Sequence, residues 1–185
     1  MEKLLKNKVL PYVFLGLFGL FEFISCVMSW TNNEFTFSGF IGLLVTLGLL
    51  FAVGFGIYRK NNTMVLFSAT PLLVLSIISW FTSSEGPLRA NYGEGVLVVY
   101  GVFLLIAAIA LLGTLVLLYV KAFGCATELK LAGAIFGLVA ALCTLIAFIV
   151  SMCDGYASAS LAMSGLSKLS FALLVSVMPY SLEAK

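Results

Sequence analysis

Apolar runs long enough to cross a lipid bilayer recur along this chain, separated by short polar connections, and no other feature restricts its fold as much. A hydrocarbon core of about 30 Å needs roughly 18 or more residues of helix at about 1.5 Å rise per residue. Six stretches qualify: about Leu10 to Trp30, Ser38 to Tyr58, Thr63 to Phe81, Val96 to Val120, Leu131 to Met152 and Gly165 to Leu182. A chain of 185 residues that is 62% hydrophobic and 10% charged, with mean hydropathy +1.17, could not hide so much apolar surface in one water-soluble core. The expectation is therefore an all-α fold, a single transmembrane domain over residues 1–185 built as a bundle of six helices. The sixth run is short, carries Lys168 near its start and is closed by Pro179, so a tilted or partly re-entrant segment is the alternative there.

Charge sets the expected topology. With six spans, both chain ends share a side with the connections Arg59 to Asn62 and Lys121 to Lys130. That side collects Lys3, Lys6, Lys8, Arg59, Lys60, Lys121, Lys130 and Lys185, whereas the other holds Arg89 and the rim residue Lys168. The positive-inside rule then puts both termini in the cytoplasm. Aromatic residues agree with these boundaries, Trp30, Trp80 and Tyr156 falling near the outer interface and Tyr12, Tyr58, Tyr119 and Tyr180 near the inner one. Lys3, Lys6 and Lys8 before an apolar run also look like a secretory leader, and Phe23-Ile24-Ser25-Cys26 like a lipoprotein cleavage box. The run is longer than the apolar part of a leader and contains Glu22, so it reads as a retained first span.

The ends of the odd spans share a pattern: Val27-Met28-Ser29-Trp30, Ser76-Ile77-Ile78-Ser79-Trp80 and Phe148-Ile149-Val150-Ser151-Met152. Each is followed by a polar loop and a glycine-led restart at Ser38-Gly39, Gly93-Glu94-Gly95 and Ser164-Gly165. The chain thus reads as three outward-opening helical hairpins. Copies of a two-helix unit are parallel repeats, which disfavours alternating access by two inverted halves.

Within the spans the small and polar residues carry the information. Gly16, Gly19, Glu22, Cys26 and Ser29 are spaced by three or four and share one helix face, as do Gly39, Gly42 and Thr46 on the second span. Gly133, Gly137, Ala140, Thr144 and Ala147 make a comparable stripe on the fifth. Such stripes are expected to be helix-packing seams, because small residues let backbones approach closely. Glu22 is the one carboxylate well inside a span, where an acid costs on the order of 2.5 to 3.5 kcal/mol at the helix centre. Lys168 lies at a comparable depth, so the first and sixth spans are expected to touch and to form an intramembrane charge pair, Glu22 with Lys168.

Soluble chemistry finds little foothold. The chain has no histidine, which removes the usual general base and zinc ligand. Glu34, Glu85, Glu94, Asp154, Arg89 and Asn91 are scattered loop polar residues without metal-ligand spacing, and Gly93-x-Gly95 is too short for a phosphate loop. Cys26 and Cys143 fall inside spans, Cys125 in an inner connection and Cys153 at the outer end of the fifth span, and no C-x-x-C pair occurs, which argues against a membrane thiol oxidoreductase. The basic residues are too dispersed to imply nucleic acid.

In size and topology the chain is similar to the small six-helix substrate-binding subunits of energy-coupling vitamin transporters, although Gly16 and Gly19 stand where that family's first helix carries an alanine-x-x-x-alanine contact motif. The claudin-type pattern of tryptophan and cysteines in a long first outer loop is missing after Trp30. The compact chain with minimal loops points to a bacterial plasma membrane. The expected role is an accessory or structural subunit that packs against another membrane protein or a second copy, without enzymatic activity, metal or cofactor. The alternative is a small carrier, channel or solute-binding subunit with Glu22 as an ion or proton site.

Overall fold

The computed structural model describes residues 7–32, 36–83, 87–88, 93–122, 129–153 and 158–182. Lys3, Lys6, Glu34, Glu85, Arg89, Asn91, Cys125, Asp154, Tyr156 and Lys185 lie outside the described residues. Six helices follow one another: α1 Leu10–Asn32, α2 Phe37–Tyr58, α3 Asn62–Thr82, α4 Glu94–Ala122, α5 Leu129–Cys153 and α6 Ala159–Ser181. Each is long and apolar enough to cross a membrane, and among the described residues there is no strand. The architecture is that of a multi-pass membrane protein.

The first five helices match the expected spans to within two residues at each end. The sixth does not, because it begins at Ala159 rather than near Gly165. Ser158 starts it, its side chain accepting a hydrogen bond from the Leu161 amide at 3.0 Å. The 23 residues of α6 extend about 35 Å, long enough for a full crossing. Lys168 consequently lies in the helix interior rather than near its start, and Pro179 sits inside the last turn.

Each helix packs against its neighbours in the chain, and α1 packs against α6, which closes the six into a ring. The most extensive contacts are α4 with α5, α5 with α6 and α1 with α6; α6 also touches α4. Of the three pairs joined at the expected outer end, α5/α6 meets closely while α1/α2 and α3/α4 meet over a smaller area. Because α6 is wedged between α1, α4 and α5, 67% of its most apolar window is buried, against 11% for α1. Its low hydropathy has the same cause: Ser167, Ser170 and Ser176 are buried against protein, where a small hydroxyl packs closely and finds partners that lipid cannot offer. Phe51, Phe67 and Ile109 instead turn outward, as side chains facing lipid tails do.

At the lower end, where α2 leads to α3 and α4 to α5, buried Lys121 of α4 donates hydrogen bonds to the carbonyls of Pro179 and Leu182. A cation there satisfies carbonyls that the end of α6 leaves without intrahelical donors and opposes the helix dipole. Lys121 therefore holds the central helix as well as adding to the basic end. Tyr119 is likewise tied in, its hydroxyl 2.7 Å from Thr70 Oγ1 of α3.

Candidate functional site: a hydroxyl-lined cavity at the upper end

A cavity of about 550 Å³ opens at the upper end, where α1 leads to α2, α3 to α4 and α5 to α6. It lies between the second halves of α1 and α3 and the first halves of α2 and α6, which is where antiparallel helices bring those segments to one depth. The wall is built by helical spacing: Glu22, Cys26 and Ser29 on α1, Gly39, Gly42 and Thr46 on α2, Ser76 and Ser79 on α3 with Ser83 just past its end, and Ser160, Ser164 and Ser167 on α6. Hydroxyls thus converge from four helices. Part of the lining is aromatic, for Phe18 and Trp80 line the cavity and both pack on Phe171, with ring centroids 4.9 and 6.1 Å away. Trp80, placed by the sequence reading at the outer interface, is 4% exposed, since it lies on the face of α3 that turns into the bundle.

Glu22 accepts a hydrogen bond from Ser167 Oγ, which donates to Oε2 at 2.6 Å. Lys168 Nζ donates to Tyr100 OH of α4 at 2.9 Å and lies 5.6 Å from that ring's centroid. Both charges line the cavity and α1 does pack against α6, yet the polar contact to Glu22 comes from the residue before Lys168. Consecutive helical residues point about 100° apart, so Ser167 reaches α1 while Lys168 reaches α4. Lys168 is buried and Glu22 is half-buried, which leaves the carboxylate as the more accessible of the two charges.

The glycines divide into contacts and open positions. On α5, Gly133 faces Pro179, a side-chain atom of which would lie 3.0 Å from an added Cβ, and Gly137 lies against the backbone of Ser176, so this stripe seats α6. Gly19 meets Leu47 and Leu50 of α2, and Gly39 fits beneath Trp30 at the α1–α2 corner. Gly16 and Gly42 face open space, the second on the cavity wall. Two close approaches escaped the sequence reading: Gly56 against Val65, which joins α2 to α3 near the lower end, and Gly165 against the Phe148 ring.

The cavity also reaches the surface. Away from the upper end its wall includes Val45, Leu75 and Ile78, which are 44%, 45% and 52% exposed. Going from Leu43 to Val45, and from Trp80 to Ile78, the lining passes from the buried face of α2 and α3 to the outward face. The cavity thus extends to residues on the outward faces of both helices.

The hydroxyl cluster itself was foreshadowed in the sequence by serines at three- and four-residue intervals in α3 and α6, but their convergence depends on how the four helices lean. Among the described residues, no three His, Cys, Asp or Glu side chains gather to hold a metal ion. What the arrangement offers is hydrogen bonding and one accessible negative charge within the span of the membrane. Comparison with known protein families, curated proteins and solved structures finds no match for this chain.

Proposed function

We propose that this protein is a small carrier or solute-binding subunit of a bacterial plasma membrane, with both termini cytoplasmic, which admits a polar group into the upper cavity from the outer side. The observation that carries the reading is the cavity of about 550 Å³ with hydroxyls on four helices and Glu22 on its wall. A volume in the range of ordinary ligand sites, with a few directed polar groups on a largely apolar scaffold, is what small-molecule recognition requires. Polar side chains at membrane depth are costly unless they serve a bundle interior or a pathway. Lys8, Arg59, Lys60, Lys121 and Lys130 at the lower end support the outward orientation of the cavity through the positive-inside rule.

The test is single-cysteine labelling in a background free of native cysteines. Cysteines at Ser29, Thr46 and Ser76 should react with a membrane-impermeant maleimide added to intact cells, while one at Gly16 stays protected by lipid. Reaction only in inverted vesicles would reverse the orientation, and protection at all cavity positions would refute the cavity's access to water.

A second reading, an accessory subunit that acts by helix packing, is favoured by Gly16, whose flank meets no neighbouring helix. Purification in mild detergent separates the two: a stoichiometric membrane companion supports the subunit reading, and a homogeneous particle that takes up label at Ser29 supports the self-contained carrier.

A further inference from the structure

We propose that the ligand of the cavity is an amphiphilic amine, its ammonium group held on Glu22 and its apolar chain leaving the bundle sideways between α2 and α3. The inference rests on the reading of the upper cavity as a binding site and adds the class of molecule bound.

Charge comes first. Ser167 occupies Glu22 Oε2, and Oε1 has no hydrogen-bond partner among the described residues. An ionised carboxyl can accept several hydrogen bonds, so this oxygen is open to a donor from the cavity. Lys168, the other charge on the wall, is 7% exposed and gives its ammonium to Tyr100 on the α4 side. A ligand entering the cavity therefore meets an accessible negative charge, which selects a cation over an anion. Hydroxyl oxygens on Ser25, Ser29 and Ser164 line the same cavity, and Ser83 Oγ is buried on its wall without a partner among the described residues. An ammonium with several N–H donors suits a site made of one carboxylate and surrounding hydroxyl acceptors.

Shape supplies the other half. A ligand that was polar throughout would be served by a closed pocket, yet this wall continues onto Val45, Leu75 and Ile78, which are exposed at membrane depth. Gly42 keeps the gap between α2 and α3 open, since nothing lies within 4 Å of a Cβ built there. The two helices meet at Gly56 and Val65 near the lower end. An apolar chain can pass between them above that point and lie among lipid tails while the amine stays inside.

The experiment uses the full chain in phosphatidylcholine nanodiscs, with empty nanodiscs subtracted, and measures equilibrium binding of n-octylammonium, 1-octanol and ethylammonium. Saturable binding of octylammonium is expected, with octanol bound only as in empty discs. Glu22→Gln keeps a carbonyl to accept from Ser167 and should weaken octylammonium binding by about tenfold or more, as loss of a charge-assisted contact does. Gly42→Phe, which fills the space beside α2 while leaving the Glu22 carboxylate in the chain, should weaken octylammonium binding to a similar degree, so the proposal can be judged even if Glu22→Gln does not fold.

Equal octylammonium binding to wild type and either folded variant, saturable octanol binding, or no saturable octylammonium binding would overturn the proposal. Ethylammonium bound as tightly as octylammonium would overturn it too, by making a free amine from water the ligand. Cavity access is scored independently: if Ser29 and Thr46 cysteines label from outside while octylammonium fails to bind, the ligand class falls and the cavity reading stands; if neither occurs, both fall.

Discussion

Ser167 of α6 donates its hydroxyl hydrogen to Glu22 of α1 at 2.6 Å, tying the most buried helix of the bundle to the most lipid-exposed one. The bond gives an intramembrane carboxylate a neutral donor. Lys168, one residue on, is committed to Tyr100.

Removing the donor should be felt at once. Ser167→Ala leaves Glu22 Oε2 without its partner, and a loss of about 1–3 kcal/mol is expected in unfolding followed in detergent. In double-mutant cycles, Ser167→Ala with Glu22→Gln should show a coupling of about 1 kcal/mol, larger than that of Lys168→Met with Glu22→Gln. A Glu22–Lys168 coupling that exceeds the Glu22–Ser167 coupling would restore the direct charge pair.

Gly137 and Gly16 make a matched comparison. A methyl group at Gly137 would overlap the Ser176 backbone, whereas at Gly16 it meets nothing. Gly137→Ala should therefore cost about 2–3 kcal/mol by forcing α5 from α6, and Gly16→Ala should leave the melting temperature of the monomeric protein unchanged. Equal effects would mean that the α5–α6 seam yields without strain.

Lys121 is expected to act as the anchor of the lower end of α6. Lys121→Met strips the Pro179 and Leu182 carbonyls of their donor, at a cost of about 2–3 kcal/mol for a buried charge-assisted contact. Hydrogen exchange near Leu182 should quicken more than exchange at the start of α6. Unchanged exchange there would assign Lys121 to topology alone.

The turn between α2 and α3 provides a stabilising change. Lys60 has φ 55°, a left-handed conformation that carries the backbone from the end of α2 into Asn61, the cap of α3. Glycine adopts that conformation without a Cβ clash, so Lys60→Gly should raise stability by up to about 1 kcal/mol. A lower melting temperature would show that the Lys60 side chain contributes more than its backbone costs.

Composition and hydropathy alone determined that the chain forms six membrane-length helices, because crossing lipid depends on apolar content summed over a local window, and that sum is legible residue by residue. The same sum misjudged α6. Its serines lowered the hydropathy just where the helix is most enclosed by protein, so the start capped by Ser158 went unread. Spacing identified the faces of α1 and α5 that bear small residues, but whether a glycine meets a backbone, as Gly137 does, or open space, as Gly16 does, depends on the position of the next helix. Only the tertiary arrangement decided that Ser167 faces Glu22 while Lys168 faces Tyr100, since a rotation of about 100° per residue sends neighbours in sequence to different partners. It also decided the cavity, because α2 and α3 close on each other at Gly56 and Val65 yet leave Gly42 open, and such a gap is a relation between helices that no single stretch of chain contains.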